Sequence, residues 1–453
     1  MTLTTLSAIS PIDGRYRDEV EGLAPFLSEA ALIKYRIRIE LLYLQALARE
    51  PKIKEVRNLS RTEVKLLDQL VSDFDEREAE KVKDIEHKTK HDVKAVEYYI
   101  KHKLERTSLR KVTEFIHFGL TSEDVNNLAY SLMLRDAVQQ CYLPLVKELI
   151  DQLKKRARQY HGLALLSLTH GQSATPTTLG KEYKVFVMRL QRQYHRLKSI
   201  RLLGKFSGAT GNWAAVQLAY PTVNWLRFSQ RFVEQLGLEF NPATTQIESH
   251  DRLVELFQTI SSINSIIQDF DQDMWLYISR GLFIQRNIAG EVGSSVMPHK
   301  INPIFFENSE GNSGVANALL NHLSEKLPVS RLQRDLTDST VLRNQGVALA
   351  HSVLSLHNTI KALNRVEPNR EMIAAELDGH WEVLAEAIQT IMRKLGKPTP
   401  YEQLKRLTRG QQLDKTALHI FIDTLDLPDV EKQKLKRLTP ATYIGLSKQV
   451  AEL

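Results

Sequence analysis

The chain reads as an all-α protein of three helical domains, on three observations. Apolar residues recur at spacings of three and four through several long segments that lack proline, which is the signature of amphipathic helices packed in a bundle. Glycine (20) and proline (15) are sparse for 453 residues, which favours long helices over a turn-rich β architecture. Strand-type alternation is not sustained, residues 222–246 included. The length allows about three domains on the usual prior. A charged stretch at 101–111 and the break at Val366-Glu-Pro-Asn369 set their limits: a mainly helical N-terminal domain at 1–111, a central long-helix bundle at 112–365 and a small helical domain at 366–453. Lys397-Pro-Thr-Pro400, Gly410 and Pro428 punctuate the last of these.

Each long helix has its own warrant. The first starts after Thr121-Ser-Glu-Asp124, where hydroxyl and acidic residues suit a helix N-terminus. It runs through Leu128 and Leu132 to Tyr142, and Pro144 predicts a kink before 145–153 continues. The second spans 179–203, with Tyr183, Val187, Leu190, Tyr194, Leu197 and Ile200 on one face. The third spans 254–282. There Ile260, Ile267 and Met274 interleave with Ile263, Phe270 and Tyr277, two heptad series that predict shallow crossing angles in a bundle. Such a helix is about 40 Å long. A fourth follows Asp338-Ser339, through Val341 to Leu363.

Composition narrows the function. Hydrophobic residues at 42% and charged residues at 25% fit a soluble globular protein. A single cysteine, Cys141, rules out an intramolecular disulfide and fits a reducing compartment. The N-terminal stretch carries no secretory pattern, and no apolar run approaches the roughly 20 residues of a membrane span. A cytoplasmic protein without membrane contact is expected. The net charge of +7 comes from basic residues dispersed among acidic ones, a solvated surface rather than a nucleic-acid stripe.

Four polar islands, Lys88–Val93, His117–Asp124, Thr169–Pro176 and Gly290–Pro303, interrupt the helices, each placed where a helix is expected to start or stop. The segment Gly290-Glu-Val-Gly-Ser-Ser-Val-Met-Pro-His-Lys-Ile-Asn-Pro303 combines two glycines with Ser294, Ser295, Lys300 and Asn302. This is a mobile loop supplied with hydroxyls, a cation and an amide for a carboxylate, hence an active-site lid. It matches neither a G-x-S-x-G elbow nor a phosphate-cradling P-loop. His170 lies in Thr169-His-Gly-Gln172, a turn whose hydroxyl and amide are expected to fix its tautomer for acid–base work. His87 and His91 are spaced i, i+4, but no third metal ligand stands at suitable spacing, and no metal is expected. His91-Asp92 reads instead as an imidazole oriented by its carboxylate neighbour. Arginines add a second anion theme. Arg15-Tyr16 follows the turn Pro11-Ile-Asp-Gly14, while Arg331, Arg334 and Arg343 flank Asp335-Leu-Thr-Asp-Ser339, where Ser339 is placed to cap a helix. The plain alternative for these arginines is a set of surface salt bridges.

The four islands resemble, in order, those of the fumarase/aspartase superfamily of lyases. Thr-His-Gly-Gln at 169–172, Met-Pro-His-Lys at 297–300, Lys-His-Asp-Val at 90–93, Thr-Ser-Glu-Asp-Val-Asn-Asn at 121–127 and the opening Ser-Pro-Ile-Asp-Gly-Arg-Tyr at 10–16 are similar to the longer bacterial type of the adenylosuccinate lyase family. That resemblance runs from Ser10 to the C-terminus. It implies β-elimination of fumarate from adenylosuccinate and from SAICAR, without cofactor. It further implies that His170 is the general acid and Ser294 the base, and that Lys300, Asn302, Thr121 and Ser122 hold the succinyl carboxylates. His91 with Asp92 and Lys90, Gln246, Ser295 and Asn308 become further substrate contacts. Arg15, Tyr16, Arg334, Ser339 and Arg343 take the ribotide phosphate. Lys90 departs from the pattern, since family members more often carry Asn or Arg there. A homotetramer with active sites shared between subunits is implied as well, and no nucleic-acid partner. Another lyase of the superfamily, such as an argininosuccinate lyase, and a non-catalytic helical scaffold stand as rival readings.

Overall fold

The computed structural model describes residues 4–286, 297, 300–408 and 413–453. Helices dominate, as the spacing predicts, and the second, third and most of the fourth expected long helices stand at Leu179–Ser199, Asp251–Ser279 and Gln345–Leu363. Among the described residues no helix is long and apolar enough to cross a membrane. The chain divides into two compact units. One comprises Met1–Leu145, Gln193–Ser265 and Gly311–His357; the other comprises Val146–Arg192, Ile266–Glu310 and Asn358–Leu453.

In the first unit, α1 (Glu29–Ala48) is started by Ser28, whose side chain accepts the Ala31 N–H at 3.1 Å. It packs against α2 (Asp92–Leu104) and α3 (Ser122–Ala137). Ile37, Leu41, Leu44, Val96, Leu128 and Leu132 are at most 1% exposed at this contact. An aromatic group closes one end, with the Tyr43 ring edge-on to Phe206, Phe228 and Phe232 at centroid distances of 5.1 to 6.1 Å. The kink expected at Pro144 takes a definite form. A π-helical turn at Val138–Tyr142 widens the helix, and the Leu143 N–H reaches back to the Val138 carbonyl.

One long helix, Ile304–Lys326, has no counterpart in the apolar pattern. Its inner face is polar. In the first unit Ser313 Oγ lies 2.5 Å from Ser355 Oγ, and Asn264 donates to Asn317 Oδ1 at 3.0 Å. In the second unit Ser309 Oγ lies 2.8 Å from Thr359 Oγ1, which donates to Asp271 at 3.0 Å. Full burial pushes the Asp271 carboxyl well above the usual range, against the lowering effect of the Ser309 and Thr359 hydroxyls. The segment after Asp338-Ser339 is two helices, Thr337–Leu342 and Gln345–Leu363, rather than one.

The second unit contains a β-hairpin with no counterpart in the strand-type alternation of the sequence. Strands β1 (Ala164–Thr169) and β2 (Gln172–Thr178) pair antiparallel, with Thr169 opposite Gln172 and a register shift between Leu165 and Ser167. The return strand is tied to the C-terminal helices. Ser173 Oγ lies 3.1 Å from His380 Nδ1, and Thr175 donates to Glu386, which also accepts from the Tyr443 hydroxyl at 3.2 Å.

Candidate active site

The Lys88–Val93 island sits at a helix junction, as expected. A helix at Glu76–Thr89 ends on Lys90 in the left-handed region at φ 55°, and α2 starts at Asp92. The break removes the i, i+4 relation between His87 and His91, because the two no longer share a helix. His91 caps α2: its Nδ1 accepts the Lys94 N–H at 3.2 Å, which leaves Nε2 to carry the proton. The expected orientation by Asp92 is not what forms. His91 Nδ1 and Asp92 Oδ1 are 3.8 Å apart, too far for a hydrogen bond. Asp92 instead takes the Arg36 guanidinium at 2.8 Å and Arg343 at 3.5 Å. Arg36 is 1% exposed and also donates to Asn126 on α3 at 2.8 Å. Replacing Lys90 by Asn, which tolerates the left-handed conformation, is expected to stabilise the protein by roughly 0.5–1 kcal/mol. A lowered thermal midpoint in that variant would count against this account of the cap.

The second island lies at the start of α3. Thr121 precedes the helix, and its N–H donates to Asp124 Oδ2 at 2.9 Å. Asp124 is fully buried and holds the loop at 205–208. Its oxygens accept the Ser207 N–H at 2.9 Å and the Gly208 N–H at 3.1 Å, and Lys205 Nζ lies 2.7 Å away. Lys205 is equally buried, and its ammonium also donates to the Gly208 carbonyl at 2.6 Å. His117, at φ 59°, has Nδ1 2.6 Å from Glu40 Oε1. Burial works against its charged form, but the bond and charge of Glu40 outweigh that and hold His117 above its ordinary pKa.

Gln246, Arg334 and Ser339 meet in the same unit. Gln246 is held by its Nε2 on the Ala209 carbonyl at 2.9 Å, and Arg334 Nη1 donates to its Oε1 at 3.3 Å. Arg334 is not a surface arginine: its Nη2 stands 3.5 Å from Glu123 and 3.6 Å from Asp338, both buried. Arg331 is the surface case, pairing with Asp335 at 3.6 Å and largely exposed. Ser339 does not cap its helix. It lies inside the turn that starts at Thr337, and its N–H is taken by Asp338 Oδ1 at 2.7 Å. Arg343 also reaches Glu29 at 3.2 Å. Arg15 and Tyr16 stand at the expected turn, with the guanidinium 6.0 Å from the centre of the Tyr16 ring.

In the second unit His170 forms the tip of the β1–β2 hairpin. His170 and Gly171 have φ of 53° and 72°, the two successive positive values of a type I′ turn. The ring is exposed, and among the described residues it makes no side-chain hydrogen bond. The tautomer-fixing partners expected next to it do not serve: the Gln172 amide turns to the Gly171 carbonyl at 3.3 Å. Lys300, exposed, and Asn302, half-buried, precede the helix at Ile304–Lys326, and Asn308 lies in its second turn. Ser294 and Ser295 lie outside the described residues.

Thr121, Gln246, Arg334 and Arg343 could be named from the sequence, but not the buried charges around them: Glu123 and Asp338 beside Arg334, and Lys205 beside the Asp124 that takes the Thr121 N–H. Glu123 and Asp338 stand within recognised motifs, whereas Lys205 carries no local signal.

Long helices whose ends carry clustered basic, amide and hydroxyl groups define a class, and comparison with known proteins gives it a name. The family model described as Lyase matches residues 14–317. Solved structures with the same fold include a 3-carboxy-cis,cis-muconate lactonizing enzyme from Pseudomonas putida (TM-score 0.74, 20% identity, 95% of each chain). A fumarate lyase from Mesorhizobium sp. BNC1 is similar (TM-score 0.76, 17% identity, 95% of this chain and 96% of that one). A second model, described as Adenylosuccinate lyase C-terminal, matches residues 330–444. The adenylosuccinate lyase of Escherichia coli K12 is 51% identical over 446 residues, covering 98% of both chains. That of Haemophilus influenzae is 50% identical over 453 residues, covering 100% of this chain and 99% of its own. The chain belongs to the adenylosuccinate lyase family, and it is a C–N lyase.

Proposed function

We infer that the protein cleaves adenylosuccinate to AMP and fumarate, and SAICAR to AICAR and fumarate, within purine nucleotide biosynthesis. Identity near 50% along the whole chain to adenylosuccinate lyases is the observation that carries this reading. The polar islands supply chemistry to match. A base removes the proton from the carbon next to one carboxylate, which generates a doubly charged aci-carboxylate. The C–N bond then breaks, its electron pair leaves with nitrogen, and an acid protonates that nitrogen. Ser294 is the base, with Ser295 beside it as a substrate contact, and His170 is the acid. Lys300, Asn302, Thr121 and Ser122 place donors where the carboxylate charge develops, each contributing a few kcal/mol. Lys90, His91, Asp92, Gln246 and Asn308 orient the rest of the substrate. Arg15, Tyr16, Arg334, Ser339 and Arg343 take the phosphate. Neither cofactor nor metal enters this scheme.

The deciding experiment incubates the purified protein with adenylosuccinate, follows ultraviolet absorbance and identifies products by mass. AMP and fumarate in equal amounts establish the reaction. Cleavage of argininosuccinate alone would move the chain to another branch, and a folded protein active on neither would return the scaffold reading.

The protein acts in this reading as a cytoplasmic homotetramer with sites built from several subunits, and it has no nucleic-acid partner. Mixing His170→Ala with Ser294→Ala protein under conditions that exchange subunits should restore measurable activity, since some sites regain both intact groups. Exchange verified by mass without any recovery would exclude shared sites.

A further inference from the structure

Glu123, His250 and Asp338 converge in the first unit, where each offers one atom within 4.8 Å of the other two. They are 2%, 2% and 4% exposed. Each also keeps a buried polar atom with no partner among the described residues: Glu123 Oε1, His250 Nε2 and Asp338 Oδ2. Two buried carboxyl groups this close do not both stay ionised unless positive charge offsets them. Arg334 offsets one, with Nη2 between Glu123 at 3.5 Å and Asp338 at 3.6 Å. A divalent cation would have to share those oxygens with the guanidinium, whereas a proton needs no additional space. His250 does not hold that proton, because burial, aided by Arg334, lowers its pKa against the pull of Glu248 and Asp251.

We propose that Glu123 is a positioning residue that stays protonated behind Arg334, leaving this guanidinium able to receive an anionic group of the substrate. The proposal rests on the anion-binding role given to Arg334 above. Asp338 Oδ1 accepts the Ser339 N–H and Arg334 holds Gln246, so the same cluster fixes three residues of the substrate-binding set. The charged groups facing Glu123 are Arg334, Asp338, Lys205 and Asp124. Lys205 and Asp124 cancel as a pair at 2.7 Å. With Glu123 and His250 neutral, the cluster has no net charge when the anion arrives; with Glu123 ionised it carries one negative charge. Burial is the main force on the Glu123 carboxyl, and it prevails over Arg334 to lift the pKa to about 8. A raised carboxyl pKa means the proton is held below that pH and lost above it.

The test compares Glu123→Gln with wild type across pH. In the wild type KM for adenylosuccinate is expected to climb about tenfold as pH rises from about 7.5 to 9.5, with kcat less affected. In Glu123→Gln, whose amide keeps the shape and cannot ionise, KM is expected to stay within about threefold of the neutral wild-type value throughout. Infrared difference spectra give an activity-independent readout: a protonated-carboxyl band present at neutral pH, lost on raising the pH and absent from Glu123→Gln. An alkaline KM rise that persists in Glu123→Gln overturns the proposal, and so does absence of the band. Tightly bound stoichiometric metal, with activity lost on its chelation, overturns it as well. Arg334→Gln separates the two levels. Unchanged KM in that variant removes Arg334 from anion binding, and the proposal with it, even if the infrared band is present. Raised KM without the band removes only the role of Glu123.

Discussion

Replacing His170 or Ser294 by alanine is expected to lower kcat for adenylosuccinate by at least about a thousandfold with the fold intact. The departing nitrogen is a poor leaving group unless protonated, and the proton at the β-carbon is weakly acidic, so each step needs its own proton carrier. His170 suits the first role by placement. It sits at an exposed hairpin tip on a two-residue turn whose return strand is anchored by His380 and Glu386. Because the ring makes no side-chain bond among the described residues, its removal takes away chemistry and little structure. Alanine at φ 53° keeps the left-handed strain that the histidine already bears, so His170→Gly, which relieves it, is the companion control. Equal losses in both variants, with unchanged circular dichroism, assign the effect to the imidazole. Retention of a tenth of the wild-type kcat in any of the three variants removes that residue from its role.

Lys205→Met is expected to destabilise the protein by about 3–5 kcal/mol, the usual effect of stranding one member of a buried ion pair. Both Lys205 and Asp124 are fully buried and 2.7 Å apart, and Asp124 also receives the N–H groups of Thr121, Ser207 and Gly208. Without the ammonium, the carboxylate is left with backbone donors alone. The loop at 205–208 and the start of α3 then loosen together, so kcat/KM falls too, through Thr121 and Ser122. Denaturant unfolding at fixed protein concentration measures the first effect. The double variant Asp124→Asn/Lys205→Met should recover much of the loss, because no uncompensated charge remains. A single-variant loss below about 1 kcal/mol would mean that water reaches the pair.

The fold was legible where apolar side chains face inward. Ile260, Ile263, Ile267, Phe270 and Met274 are at most 3% exposed on one helix, and their spacing announced it. The helix at Ile304–Lys326 was illegible for the opposite reason: it turns Ser309 and Ser313 inward, and hydroxyls at helical spacing look like a loop. The hairpin was hidden because 164–178 mixes Leu, Ser, Thr, Ala and Pro without alternation, although its turn residues were recognised. At the site, island residues could be named from their types. Their supports could not, since Arg36 meets Asn126 90 residues away and the Lys205 ammonium pairs with Asp124 on a helix remote in sequence. Local sequence cannot show that such a charge is buried.

Lys90, His117, His170 and His250 all adopt positive φ without being glycine, and three of them belong to the polar islands. A campaign for heat resistance that scanned the chain for uncomfortable backbone would therefore choose these positions early and offer glycine or asparagine at each. At residue 90 the trade is mild. At residue 170 the more robust variant would have lost the imidazole proposed as the acid, and at residue 117 it would have lost the partner of Glu40. Screening such a library by melting temperature alone would enrich well-folded proteins that no longer turn over substrate, so the selection has to read activity in the same step.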